Sequence, residues 1–185
     1  FSINSNKLSF TPCSTPPSGI STSTGNNFIC AGDSITLTRV GGALGAGGSY
    51  KWYTQYCGGT LVGTGNSIKV SPSATTIYYL RAEANCGVTN CISISISVVA
   101  KPAATISATG STTFCAGGSV VLSANTGSGL TYQWQKDGVN IPGATFASYT
   151  ATQAGIYQVS VINSSGCSTI SSGLTVNVNN LPPTT

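Results

Sequence analysis

Short runs in which apolar and polar residues alternate recur along most of the chain. Between Ser34 and Arg39, Ile35 and Leu37 alternate with Thr36 and Thr38. From Ile92 to Val98, Ile92, Ile94, Ile96 and Val98 alternate with serines, and Val120, Leu122 and Ala124 repeat the pattern further on. A period of two is the mark of a strand with one face buried. Gly-Gly, Asn-Ser-Ser-Gly and Asp137-Gly138 stretches punctuate the runs as turns. Long amphipathic helical patterns are absent, so the pattern predicts an all-β chain.

The runs fall into two series. Tyr132-Gln133-Trp134-Gln135-Lys136 has an earlier counterpart in Tyr50-Lys51-Trp52-Tyr53. Each is preceded by a Cys-Ala-Gly strand opener, at Cys30 and Cys115, and followed by an Ile-Tyr strand carrying Tyr78 or Tyr157. The openers lie 85 residues apart, the tryptophans 82 and the tyrosines 79. Three landmarks in one order at nearly one period imply two copies of one domain. The expected divisions are 1–15, an N-terminal strand and Pro/Ser linker; 16–100, the first domain; 101–181, the second; and 182–185, the start of another linker. Strand alternation assigns Trp52, Trp134, Tyr78 and Tyr157 to the cores. Gly41 to Ser49 reads as a glycine-rich turn too flexible to add to one.

Composition narrows the function. Only 5% of residues are charged, against 40% hydrophobic, which is not the balance of a disordered chain. The net charge of +4 comes from seven scattered bases with no cluster, which argues against nucleic-acid binding. No apolar run approaches the ~18–20 residues of a membrane span. The chain reads as a processed or excised piece of a longer precursor.

Chemistry-bearing residues are few. There is no histidine, so Ser-His-Asp and Cys-His arrangements cannot be built. The acids are Asp33, Glu83 and Asp137 alone, with Asp33 and Asp137 at turns and Glu83 near a strand end. A paired-carboxylate hydrolase and an acid-rich calcium site are both disfavoured. Seven cysteines without paired Cys-x-x-Cys motifs point to disulfides in an oxidising compartment rather than to zinc. No catalytic residue, metal ligand or cofactor is assigned.

Several stretches carry the resemblance to a known family. A tryptophan on the third strand, and Ala154-Gly155-Ile156-Tyr157 opening the sixth, resemble the marks of an immunoglobulin-like sandwich. The tyrosine hydroxyl would bond back to nearby backbone. Antibody domains carry a cysteine pair at the positions of Leu122 and Val159, so that bridge is missing here. CAGGSVVLSA and the segments around Trp134 and Tyr157 resemble the repeated Ig-like domains of giant Bacteroidetes surface proteins, and GGALGAGGSYKWY resembles a second repeat type of theirs. The resemblance covers about Ser18 to Val178. It implies export, commonly by the type IX system, and roles in adhesion, gliding or extracellular structure. Asp33-Ser34-Ile35 also matches that lineage's O-glycosylation motif, which makes Ser34 a candidate.

On a sandwich of that topology the favoured bridges are Cys30–Cys57 and Cys86–Cys91, over Cys30–Cys86 with Cys57–Cys91. In the second domain Cys115 and Cys167 are the only pair, and an intradomain bond between them is favoured over links between successive domains. Cys13 is left as the odd thiol, a candidate for a bond to another chain. One outward face gathers Lys51, Tyr53, Tyr79 and Arg81, a candidate binding patch. The same register makes Lys51 and Glu83 a cross-strand surface pair.

These readings lead to two tandem immunoglobulin-like β-sandwiches, non-enzymatic and extracellular or at the cell surface. They would form the stalk or repeating body of an adhesin or filament. The expected partners are copies of itself or neighbouring Ig-like domains of the same protein, with surface glycans as candidates. Two alternatives remain. Phe1, Ile3, Leu8 and Phe10 would form a donor strand that polymerises subunits by strand addition, or the chain is a carbohydrate-binding module of a secreted hydrolase.

Overall fold

The computed structural model describes residues 13–180. The donor-strand residues Phe1, Ile3, Leu8 and Phe10 lie outside them. The chain divides into two compact units, one through Val98 and the other from Val99. Every regular element in the described residues is a strand.

The first domain contains β1 (Gly19–Thr22), β2 (Phe28–Cys30), β3 (Ile35–Val40), β4 (Ser49–Thr54), β5 (Thr60–Thr64), β6 (Ser67–Val70), β7 (Thr76–Ala84), β8 (Gly87–Val88) and β9 (Ile92–Val99). One sheet has the order β1-β3-β6, and the other β2-β9-β7-β4-β5 with β8 beside β7. Their facing sides bury Ile29, Ile35, Leu37, Tyr50, Trp52, Tyr78, Leu80, Ala82 and Ile96. Two sheets packed face to face on alternating residues make a β-sandwich.

The second domain repeats the plan with β10 (Ile106–Thr109), β11 (Thr113–Cys115), β12 (Val120–Ala124), β13 (Thr131–Lys136), β14 (Val139–Asn140), β15 (Ser148–Ala151), β16 (Gly155–Ile162), β17 (Ser168–Ile170) and β18 (Leu174–Asn179). Its sheets run β10-β12-β15 and β11-β18-β16-β13-β14, with β17 on β16. Leu122 and Val159 are fully buried, so aliphatic packing occupies the place where antibody domains carry their bridge. Asp137 and Gly138 both have positive φ at the β13–β14 hairpin, as a two-residue type I′ turn requires.

The tryptophans are the centres of the cores, and both indoles also fix a loop. Trp52 and Trp134 are 0% exposed. The Trp52 indole N–H donates to the Gly65 carbonyl at 3.0 Å, and that of Trp134 to the Phe146 carbonyl at 2.9 Å. In the second domain Trp134, Tyr149 and Tyr157 form a chain of tilted rings with centroids 6.0 and 5.8 Å apart. The Tyr157 hydroxyl donates to the Gln153 carbonyl at 2.9 Å, closing the expected tyrosine corner.

The last strand of the second domain is interrupted. β17 and β18 are separated by Ser171-Ser172-Gly173, and Ser171 is buried. The Ser171 N–H donates to the Val159 carbonyl at 3.0 Å, while its hydroxyl accepts from the Val159 N–H at 3.0 Å. A side-chain oxygen thus stands in for the missing ladder carbonyl. Thr89 does the same at Ala82 in the first domain.

The stretch before β1 is a docked extension of the first domain, where the sequence suggests a free Pro/Ser linker. Thr15 pairs with Ala43 in a backbone bridge, and its hydroxyl accepts from the Ala43 N–H at 2.8 Å. The Ser14 hydroxyl accepts from the Gly45 N–H at 2.9 Å, and the Ser18 N–H donates to the Val40 carbonyl at 2.9 Å. The glycine-rich run is therefore a seat for this segment, and its small residues let the two backbones meet. A Cβ on Gly42 would stand 3.0 Å from the backbone of Pro17, at φ +79°. Gly42→Ala is expected to cost about 2–3 kcal/mol, left-handed strain plus a clash against an immobile backbone. Urea denaturation of the two proteins measures the loss.

Candidate functional site

The outward face expected to present Lys51, Tyr53, Tyr79 and Arg81 is the one where the first domain concentrates its charge. β4 and β7 are antiparallel neighbours, with Lys51 opposite Arg81 and Tyr53 opposite Tyr79. Glu83 lies two residues beyond Arg81, on the same face, and is the hub. Its carboxylate meets the Lys51 ammonium at 2.6 Å and the Arg81 guanidinium at 2.7 and 2.8 Å. The Tyr53 hydroxyl donates to the same carboxylate. The Arg81 guanidinium also lies over the Tyr53 ring, 5.0 Å from its centroid.

Glu83 consequently holds its proton weakly. Partial burial pushes its pKa up, but hydrogen bonds from Lys51, Tyr53 and Arg81 outweigh it and bring the pKa down to about 2. The Lys51 and Arg81 values are raised, chiefly by hydrogen bonds to Glu83, and that of Tyr53 by burial first. An unfolded glutamate takes up its proton near pH 4.5 and the folded one only near 2. The stability Glu83 supplies is thus complete above pH 4.5 and is lost as pH falls toward 2. Denaturation of the wild type across that window is expected to show an acid loss about 1–2 kcal/mol larger than that of Glu83→Gln, the partial exposure of the site limiting the effect.

The patch is largely covered, which the sequence did not reveal. Tyr53 is 6% exposed although it points away from the core. β4 ends at Thr54, and Gln55 turns the chain back at φ 72°. Gly58 then lies against Arg81, where a Cβ would come within 3.0 Å of the guanidinium. Ring, guanidinium and loop form three layers. Tyr53 therefore offers no free ring face for stacking on a ligand. Tyr79 is half-buried, Ile77 is exposed beside it on β7, and Tyr56 on the loop is 63% exposed.

A disulfide pins that loop. Cys57 is bonded to Cys91, with Cα atoms 5.9 Å apart. Cys86 is bonded to Cys13, with Cα atoms 5.8 Å apart. The favoured Cys30–Cys57 and Cys86–Cys91 pairs are therefore not formed, nor is the alternative Cys30–Cys86. The reason is local geometry. The turn at Gln55 carries Cys57 back to the start of β9, and the docked N-terminal segment brings Cys13 to the β7–β8 turn. Cys13 is thus not a spare thiol for another chain. Cys115 is free and exposed, at the end of the edge strand β11, and the Cys115–Cys167 bond is absent. Cys167 is buried, 1% exposed.

Ser34 is exposed in the turn that leads into β3. Asp137 accepts the Ile156 N–H at 2.8 Å, a structural role at a turn. The positions that correspond to the ionic cluster in the second domain hold Gln133, Gln135, Gln158 and Ser160 on β13 and β16, an uncharged face. Among the described residues no group of His, Cys, Asp and Glu could hold a metal ion, and no helix is long and apolar enough to cross a membrane. Glu83 as a hub was half legible, since Lys51 and Arg81 face each other across a ladder with one acid in reach. The covering loop had no sequence signal, because a glutamine rather than a glycine takes the left-handed position.

Comparison with known proteins places both domains. The family model described as "Ig-like domain CHU_C associated" matches residues 17–100 and again residues 102–182. No curated protein sequence matches the chain. Among solved structures, murine CEACAM1b is 13% identical with a TM-score of 0.42, over 87% of this chain and 100% of that one. A mouse coronavirus receptor-binding domain complexed with its murine receptor gives 13% identity and a TM-score of 0.45, over 87% and 99%. The N-terminal four Ig domains of Dscam1 isoform 1.9 give 20% and 0.34, over 83% of this chain and 43% of that one. At these values, function rests on the chain's own residues.

Proposed function

Because the chain belongs to this Ig-like domain family, with two members in tandem, we propose that it is a non-enzymatic extracellular module, part of the stalk or repeating body of a surface adhesin or filament. The observation that carries this reading is the covalent framework of the first domain. Two disulfides within one sandwich suit an oxidising environment and a part that must keep its shape there. The chain's chemistry agrees. It has no histidine, Glu83 is committed to three partners, and Asp137 caps a backbone N–H. The resemblance to Bacteroidetes repeats supports export by the type IX system, with Ser34 as an accessible glycosylation candidate. Its partners in this reading are copies of itself or neighbouring Ig-like domains.

The test is surface labelling of intact cells of the source organism with an antibody raised against residues 13–180. Labelling without permeabilisation, lost after protease shaving, is the expected result. A protein found only after lysis would overturn the reading.

A second reading, glycan contact, keeps one support. Tyr56 is exposed on a loop that the Cys57–Cys91 bridge holds still, which lowers the entropy cost of stacking a sugar on it. Binding on a glycan array that disappears in Tyr56→Ala would favour it, and no binding to any glycan would remove it.

A further inference from the structure

The Cys13–Cys86 bridge does more than staple a fold, because of where its two ends lie. Cys13 precedes every described strand of the first domain, and Cys86 stands just before β8 and β9, the last strands of that domain. The bond spans 73 residues, so β1 to β7 all lie within the closed loop. We propose that the first domain is a tension-bearing strut. Force arriving from the N-terminal side of Cys13 crosses the bridge to Cys86, runs along β9 and leaves through Val99. The body of the sandwich is bypassed.

Three further observations support this path. First, β9 is already extended. Its eight residues span about 26 Å at ~3.3 Å each, while the whole run from Cys86 to Val99 can reach only about 45 Å. Little length remains to be drawn out. Second, β9 lies between β2 and β7, hydrogen-bonded on both sides. The five β7–β9 pairs, Thr76↔Ile96 through Leu80↔Ile92, hold the strand in its extended form from one side. Third, the clamp has a non-covalent bed. The glycine-rich seat bonds to Ser14 and Thr15 on one side, and on the other the Ala46 carbonyl accepts from the Asn85 N–H at 3.4 Å. The same seat thus joins the N-terminal segment to the turn that carries Cys86. Cys57–Cys91 adds a second link at the start of β9.

The biological use of such a strut rests on the extracellular tandem reading, but the covalent path does not. Single-molecule stretching of the full chain tests it, with handles on the amino terminus and on a click-reactive residue in place of the exposed Ala100. In the oxidised wild type only the 14 positions from Cys86 to Ala100 can be drawn out beyond Cys13. In Cys13→Ser the Cys57–Cys91 bridge still spares 34 residues where the wild type spares 73. The variant is therefore expected to lengthen by 39 residues more, about 140 Å. Wild type stretched in reductant is expected to lengthen by 73 residues more than the oxidised protein, about 260 Å, which keeps the test valid if the variant folds poorly. An oxidised wild type that lengthens as far as Cys13→Ser, gaining only 34 residues in reductant, or as far as the reduced protein, would overturn the proposal. Cell-surface labelling and tether length are independent readouts, so either can fail alone.

Discussion

Trp134→Ala is expected to remove about 3–5 kcal/mol from the stability of the second domain, the largest loss any single substitution there should produce. The indole is wholly buried among Val120, Leu122, Ala151, Tyr157, Val159 and Val176 and touches the Tyr149 ring. Truncation leaves a cavity in a core that two sheets hold at fixed spacing, and it strips the Phe146 carbonyl of its indole donor. A small domain has only about 5–15 kcal/mol in total, so much of its margin disappears. Urea denaturation followed by tyrosine and tryptophan fluorescence would show the second domain melting first, with the Trp52 transition unchanged. A shift below about 1 kcal/mol would mean that the indole is not the centre of that core.

The second large effect concerns the bridge over the ionic cluster. Replacing Cys57 and Cys91 together by serine is expected to cost about 3–4 kcal/mol, the chain entropy released by opening a 34-residue loop. The change should also free the Gln55–Gly59 loop from Arg81 and let water reach Tyr53. Hydrogen exchange would report the loss as faster labelling of residues 55–59, with β3 and β6 protected as before. Unaltered stability and exchange would show that the loop holds its place without the bond.

Much of the architecture could be read in the chain because it rests on short-range patterns. Alternation in Ile35–Leu37 and Ile92–Val98, the repeat of the Trp52 and Trp134 strands and the Asp137-Gly138 turn are each local, and each follows from backbone chemistry. The interruption at Ser171 was hidden, since a serine inside an alternating run looks like any outward-facing residue. Only the bond that its hydroxyl accepts from the Val159 N–H reveals its purpose.

The candidate site was less legible, and for one reason. Strand counting places cysteines on strands, whereas Cys13 and Cys57 sit in segments that double back. The left-handed Gln55 and the docking of Thr15 on Ala43 decide the pairing, and neither carries a composition signal. Pro and Ser around Cys13 suggested a free linker, yet the glycines of residues 41–48 exist to receive it. The same reversal explains Tyr53, which alternation assigns to solvent and which Arg81 and the returning loop cover.

The covalent framework of the first domain supports both its proposed station outside the cell and its proposed resistance to stretching. Peptide mapping of the unreduced protein, with free thiols alkylated beforehand, examines that framework most directly. Cross-linked peptides joining Cys13 to Cys86 and Cys57 to Cys91, with Cys115 alkylated, are the predicted result. Peptides joining Cys86 to Cys91, or Cys30 to Cys57, would contradict it.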